Sequence, residues 1–162
     1  MINTGKVKDR RKLRFENLSD AVRDAESLAE AERGGTLRST GNWTLGQAIG
    51  HLAYWARAPF DGYPAMPKPN WLLRLMTPLL KPSFLNKRLP AGVQISGVPS
   101  GTFGVDVMPT DQALGDLRTA LERMASQAPT QSNPFFGAMT HEDWIKLNLR
   151  HAELHLSFFH PR

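Results

Sequence analysis

Four segments of the chain repeat apolar residues every three or four positions, which is the spacing of one face of an α-helix. They cover residues 18–33, 44–59, 110 to just before Pro129, and 140–159. The fourth segment is apolar on nearly all sides, which indicates a central and largely buried helix. Four long helices predict an all-α protein, a four-helix bundle that we expect to form one domain over residues 1–162.

Capping residues mark the expected ends of these helices. Ser19 and Thr110 are predicted N-caps of the first and third helices, and Gly34 is a stop signal for the first. Thr140, with Asp143 three residues later, forms a variant of the capping box at the start of the fourth helix.

The second helix carries Gly46 and Gly50 four residues apart on one face. Each glycine inside a helix costs about 1 kcal/mol relative to alanine. A pair on one face therefore predicts that the backbone of a neighbouring helix comes close to this surface.

Residues 60–109 form a long crossover between the second and third helices. Nine of the twelve prolines lie between 59 and 109, and a connection of this length inside a compact fold is either functional or contains an element of its own. We expect a short apolar helix over residues 71–80. Part of 93–107 is expected to pair as a small hairpin.

The charge of the chain is concentrated at its start. Residues 1–14 contain six basic residues and one acidic residue, so they carry the whole net charge of +5. We expect a solvated basic arm, and no nucleic-acid binding, because neither a recognisable binding fold nor an aromatic stacking pattern accompanies the charge. The start has no apolar leader and no segment is long and apolar enough to span a membrane, so a cytoplasmic location is expected.

Histidines are the residues that best indicate chemistry. His151 and His155 lie four apart on the fourth helix, so both rings project from one face, and His51 lies in the middle of the second helix. Three neutral imidazoles can hold a divalent metal such as zinc, nickel or iron. The chain has no cysteine, which excludes thiolate ligands. The alternative is a set of core histidines that bind nothing. His141 and His160 are predicted to be a first-turn residue and a frayed terminal residue.

Four further side chains are expected to line the site and contact a cofactor or substrate: Gln47, Tyr54, Trp55 and Asn148. The polar ones among them, Gln47, Tyr54 and Asn148, are poor bases at neutral pH, which favours a nucleophile activated by metal over one activated by a side chain. Glu153 lies on another face of the fourth helix. It is predicted to be a structural carboxylate or one that supports a ligand.

Two motifs resemble the DinB-like (YfiT-like) metalloenzyme superfamily. They are the segment 42–53, with Trp43, Thr44 and His51, and the segment 133–137 followed by Thr140, Trp144 and the pair His151 and His155. The opening segment 10–15 resembles a branch described only as a domain of unknown function. The resemblance implies an up-down-down-up bundle and the metal ligands His51, His151 and His155. Asn133 stands where many relatives have histidine.

The resemblance implies a metal-dependent enzyme more clearly than it implies a substrate. Members of the superfamily include transferases and isomerases that depend on a low-molecular-weight thiol, as well as hydrolases. We therefore expect a metal that activates a thiol or a water for reaction with a small molecule. The rival interpretation is a non-catalytic helical scaffold, with Trp55, Trp71 and Phe158 around an apolar ligand. In that case residues 71–80 cover the cavity or form the surface of a homodimer.

Overall fold

The structure, a computed structural model, describes residues 2–65, 71–98 and 100–162, with backbone alone for 71–76 and 78. This part of the chain is mostly helical, as the apolar periodicity predicted. It contains five α-helices: α1 (Leu18–Arg33), α2 (Leu45–Asp61), α3 (Trp71–Asn86), α4 (Thr110–Ser126) and α5 (His141–Leu156). Two short strands, β1 (Leu37–Ser39) and β2 (Phe159–Pro161), form a small antiparallel sheet. Among the described residues, no helix combines the length and the apolar character needed to cross a bilayer.

The helices enclose one continuous apolar cluster. Helix α2 packs against α4 and α5, α1 packs against the same two helices, and α3 lies against α5. The predicted apolar face of α4 is confirmed, since Leu114, Leu117, Leu121 and Met124 are all buried. Burying such side chains contributes roughly 1.5–3 kcal/mol each, so α4 is held mainly by this face.

Two of the predicted helix starts are wrong. Helix α1 is capped by Asn17, whose side chain accepts from the Asp20 amide, and Asp20 returns a bond to the Asn17 amide. This reciprocal pair excludes Ser19, which lies inside the first turn. Thr110 is itself helical, and the residue before α4 is Pro109, which makes no side-chain cap.

The starts of the two helices that carry the histidines are stabilised by reciprocal caps. Thr140 and Asp143 form the predicted capping box of α5. Thr44 and Gln47 form the equivalent pair at the start of α2. Each box satisfies two backbone donors, so the start of each helix is defined, about two turns before His51 in α2 and about three turns before His151 in α5.

The glycine face of α2 lies against the end of the crossover. A Cβ on Gly46 would come within 2.2 Å of the Met108 carbonyl oxygen, and one on Gly50 within 2.4 Å of the Met108 sulfur. The close approach is therefore confirmed: its nearest partner is Met108, just before α4, and the first turn of α4 itself also comes close, with the Thr110 amide nitrogen 3.2 Å from an added Cβ on Gly46.

The crossover contains a longer helix than predicted. Helix α3 extends from Trp71 to Asn86, where a helix over 71–80 was expected. The hairpin expected in 93–107 is not present among the described residues, where Ile95 and Gly101 instead close a loop. The predicted role of the Trp71 side chain lies outside the described residues, as does most of the surface expected for 71–80.

The chain ends differently from the prediction. Helix α5 stops at Leu156 and not at Phe159, because residues 159–161 pair with β1, with Phe159 opposite Ser39 and His160 opposite Arg38. His160 is therefore held in a strand and is not frayed. The apolar pattern continued through Phe159 because that side chain is buried in the same core.

The segment 10–15 is packed against the helices, so a solvated arm is the wrong description of it. Arg11 forms two 2.7 Å bonds to the carboxylate of Asp24 in α1. The Phe15 backbone is held on both sides by α5: its amide donates to Glu153 at 2.7 Å, and its carbonyl accepts from Arg150 at 2.9 Å. The arginines of this segment, Arg10, Arg11 and Arg14, thus bond to residues of the folded body.

Candidate metal centre

The three predicted histidines lie together between α2 and α5. Their ring centroids are 4.9 Å apart for His51 and His151, 4.6 Å for His51 and His155, and 4.7 Å for His151 and His155. One ring nitrogen from each residue lies within 4.8 Å of the others. His51 is 2 % exposed, while His151 and His155 are partly buried. The described residues therefore bring three nitrogen donors to one point.

A backbone carbonyl fixes the orientation of His51. Its Nδ1 lies 2.8 Å from the carbonyl oxygen of Phe103. Because a carbonyl oxygen only accepts, Nδ1 of the neutral ring carries the proton and donates it. The lone pair is then on Nε2, so this nitrogen is free to bind a metal. The Phe103 carbonyl is the kind of outer hydrogen-bond partner that metal-binding histidines have at their second nitrogen.

The distance between two donors matches the spacing in a metal site. Nε2 of His51 lies 3.1 Å from Nε2 of His151. Two lone pairs at this distance repel each other unless a proton or a cation lies between them. Zinc–nitrogen bonds of about 2.0–2.1 Å in tetrahedral geometry would place two such nitrogens about 3.3 Å apart. The residues present therefore fit a divalent cation.

Burial keeps all three imidazoles in the ligating form. Removal from water lowers the pKa of His51 to about 4, and the bond to Phe103 only partly opposes this. Burial also lowers the pKa of His151 and of His155 well below the usual range, with neighbouring histidines adding to the effect. At neutral pH the rings are uncharged, so their nitrogen lone pairs do not have to be freed by deprotonation.

Trp43 forms one wall of the site. Its ring is stacked on His155, with 5.0 Å between centroids and 12° between planes, and is 4.9 Å from the ring of His51. Trp43 belongs to the motif quoted in the sequence. Its contact with two histidines was not predicted, because it precedes the helix and its direction depends on how the chain enters α2.

Two of the expected polar residues are engaged in backbone contacts. The side-chain nitrogen of Gln47, Nε2, donates to the Val105 carbonyl at 3.1 Å. Its side-chain oxygen, Oε1, accepts from the backbone amide of Thr44 at 3.0 Å. The amide nitrogen of Asn148 donates to the Trp144 carbonyl at 2.9 Å. Both side chains therefore support the walls of the site, and their contact with a cofactor stays a prediction.

The aromatic pair expected near His51 lies toward the crossover. The Trp55 ring is 6.3 Å from His51 and 6.5 Å from Phe103. Tyr54 packs on Gly104, where an added Cβ would come within 2.5 Å of the Tyr54 ring. Gly104 has φ +69°, a conformation that glycine adopts readily. A ligand-binding role for Tyr54 and Trp55 stays a prediction.

The contribution of the crossover was missed at the level of sequence. Phe103 and Val105 present backbone carbonyls to α2, at His51 and Gln47 respectively. Contacts made by backbone carbonyls leave no motif of side chains in the sequence. The length of residues 60–109 indicated that this segment has a function, but not which of its residues contact α2.

Two other groups lie outside the centre. Glu153 forms a buried 2.8 Å ion pair with Arg150 and binds the Phe15 amide, which confirms a structural carboxylate. His141 lies in the first turn of α5, as predicted, with Nε2 2.6 Å from the Met124 carbonyl oxygen.

The fold and the site together define a mostly helical protein with a three-histidine group that could hold a metal ion. The chain belongs to the family described as "Protein of unknown function (DUF1569)", which it matches over residues 7–162. That match includes all three histidines and the whole of the packed segment 10–15. No curated protein and no solved structure matches the chain.

Proposed function

We propose that the protein is a metal-dependent enzyme in which His51, His151 and His155 hold one divalent cation. The observation that carries this proposal is the convergence of three ring nitrogens within 4.8 Å of one another. A cation held by three neutral ligands would supply Lewis-acid activation of a water or a thiol. Nitrogen donors suit zinc, nickel and iron.

We also propose that the fold is the DinB-like four-helix bundle. Helices α1, α2, α4 and α5 would form the bundle in up-down-down-up order, with α3 an addition carried by the crossover. The proposal is supported by the packing of α1 and α2 against both α4 and α5. The histidines project from two helices of this set, as metal ligands do in bundle cores.

The chain's own residues would position the ligands and exclude water. The Phe103 carbonyl accepts a hydrogen bond from His51, and the Trp43 ring stacks on His155. Gln47 links α2 to the crossover by its hydrogen bond to the Val105 carbonyl. Burial raises the pKa of Tyr54, so its hydroxyl is no base at neutral pH. This favours a nucleophile activated by the cation. We place transfer of a low-molecular-weight thiol to a small-molecule electrophile first, and hydrolysis second.

Metal content tests the proposal directly. Protein purified without a histidine tag should contain about one equivalent of a divalent metal per chain, measured by plasma mass spectrometry. His151→Ala and His155→Ala should each lose most of it, because two imidazoles chelate far more weakly than three. His141→Ala, on the same helix but outside the group, should keep it. A substoichiometric metal content that His151→Ala does not change would sink the proposal and favour the non-catalytic scaffold.

The reaction class needs a separate assay. Metal-loaded protein should accelerate the substitution of halide by a simple thiol on an activated aryl halide, in which a C–S bond forms, the carbon–halogen bond breaks and halide and a proton are released; absorbance follows the product. Hydrolysis of an activated ester by the same preparation, without thiol, represents the second chemistry. Faster ester hydrolysis with no thiol transfer would reverse the order we give.

A further inference from the structure

An open cleft of about 370 Å³ lies between the end of α1, the small sheet and the start of α2. Leu45 and Phe159, both buried, form its floor, and the half-buried side chains of Leu37 and Trp43 form its walls. Sites for small molecules have volumes of roughly 300–1,000 Å³ and are mostly apolar. This cleft therefore has the size and the lining of a small-molecule site, and it is open to solvent.

The pairing of the two strands builds one side of the cleft. Successive side chains of a strand point to opposite faces, and Leu37 and Ser39 of β1 both line the cleft. Phe159 of β2 is paired with Ser39 and lies on the same face. Arg38, between the two lining residues, is paired with Asp9 at 2.8 Å. The face of the sheet toward the cleft is thus free of its basic side chain.

The charge of the cleft is negative. Of the lining residues that the structure describes, Glu32 alone carries a charge. Its exposed carboxylate has no hydrogen bond or ion pair within the described part of the chain, while its neighbour Arg33 is paired with Asp111. Glu32 also lies in the last turn of α1, where the helix dipole is negative. Both features attract a cation to this edge of the cleft.

Trp43 gives the cleft an aromatic wall. The same indole is stacked on His155, but none of the three histidines lines the cleft. Trp43 therefore separates the cleft from the metal centre. An indole attracts an ammonium group as well as apolar groups, because its ring face carries partial negative charge.

We propose that this cleft is a second binding site, for a small molecule that joins an apolar or aromatic body to an ammonium group. The ammonium group pairs with the Glu32 carboxylate, and the body covers Leu37 and Trp43. An anion is disfavoured by both the carboxylate and the end of α1. The site lies outside the three-histidine group, so it does not depend on the function proposed above.

Phenethylammonium is a simple probe of this chemistry. The full-length protein is first treated with a chelator, so that the amine has no metal to bind. In proton–nitrogen NMR spectra, the backbone amides of Gly35 and Ser39 and the indole N–H of Trp43 should shift saturably with the probe. The neutral analogue 2-phenylethanol should bind more weakly because it lacks the charge, and the anion 3-phenylpropionate should not bind.

Two substitutions at exposed positions test the charge and the space separately. Glu32→Gln should weaken binding of the probe by about fivefold at low salt, since an exposed ion pair contributes modestly and is screened by salt. Glu30→Gln, the same change on α1 but outside the cleft, should leave the affinity unaltered. Ser39→Phe, which places a ring in the cleft, should abolish binding.

Several results would overturn the proposal: no saturable shift at Gly35 and Ser39, an equal affinity for 2-phenylethanol, or tighter binding of 3-phenylpropionate. An unchanged affinity in Glu32→Gln or in Ser39→Phe would do the same. Shifts confined to the amides around His51 and His151 would place the probe in the histidine group and also overturn it. Loss of the metal site would leave binding in the cleft unaffected, so the two proposals fail separately.

Discussion

The imidazole of His155 is stacked on the indole of Trp43, with 5.0 Å between ring centroids and only 12° between ring planes. His51 is held by a hydrogen bond, whereas His155 is held by this face-to-face contact. Trp43 also touches His51. One aromatic side chain therefore restricts two of the three donors.

Removing the stack should weaken metal binding. We expect Trp43→Leu to lower zinc affinity by about tenfold, within the range found when an outer partner of a ligand is lost. Competition with a chromophoric chelator measures this. Trp43→Phe retains a flat ring and should lose much less. Equal affinities of the leucine variant and the unaltered protein would show that the indole does not orient the ligand.

The stability of the metal-free protein should depend on pH. Because burial lowers the pKa of His51 from 6.5 to about 4, the unfolded chain takes up a proton at a higher pH than the folded chain. The free energy of unfolding should therefore fall as the pH decreases from 6.5 toward 4, by roughly 3 kcal/mol for His51. Urea unfolding of chelator-treated protein across this range measures it.

A substitution of His51 can show how much of this pH dependence of stability comes from its imidazole. His51→Asn keeps an amide donor for the Phe103 carbonyl but does not titrate. The slope of stability against pH should decrease in this variant. It should not vanish, because burial lowers the pKa of His151 and His155 in the same direction. A slope identical to that of the unaltered protein would assign the effect to other groups.

The sequence predicted the histidine group because the pair in α5 follows from helical spacing, His51 lies on a core-facing stripe of α2, and the segments around both resemble one superfamily. The predicted capping box of Thr140 and Asp143 marks where α5 begins. The contacts of Phe103 with His51 and of Arg10 with Ser157 could not be predicted, because the partners lie 52 and 147 residues apart in the chain, respectively. Those contacts depend on the path of the crossover and of the N-terminal segment, and no periodicity encodes either path.

The buried pair of α5 should anchor the N-terminal segment. Arg150 and Glu153 are 4 % and 2 % exposed and bind both backbone groups of Phe15. Glu153→Gln leaves a buried guanidinium without its counter-charge, so we expect a loss of about 3 kcal/mol of stability. Hydrogen exchange should also become faster in residues 10–15.

The same substitution on the surface of α5 is the control. Glu142 pairs with Lys146 one turn away, and their side chains are 75 % and 44 % exposed. Glu142→Gln should therefore change the unfolding free energy by less than about 0.5 kcal/mol. Similar losses in the two variants would mean that the buried pair has no special structural role.

The contact between α2 and the crossover should be sensitive to a single methyl group. Gly46→Ala would place a Cβ 2.2 Å from the Met108 carbonyl oxygen. Backbone cannot yield as a side chain can, so we expect a loss of about 3 kcal/mol. Gly50→Ala is crowded by the flexible Met108 side chain and should cost less.

Gly115 in α4 is the matched control, since an added Cβ there meets nothing within 4 Å. Gly115→Ala should stabilise the protein by up to about 1 kcal/mol, because alanine is the better helix former. Met108 leads back along the crossover to Phe103, which holds His51. Gly46→Ala should therefore also weaken zinc binding, whereas Gly115→Ala should not. Urea unfolding and chelator competition on the three variants measure both effects, and a Gly46→Ala protein as stable as Gly115→Ala would contradict this packing.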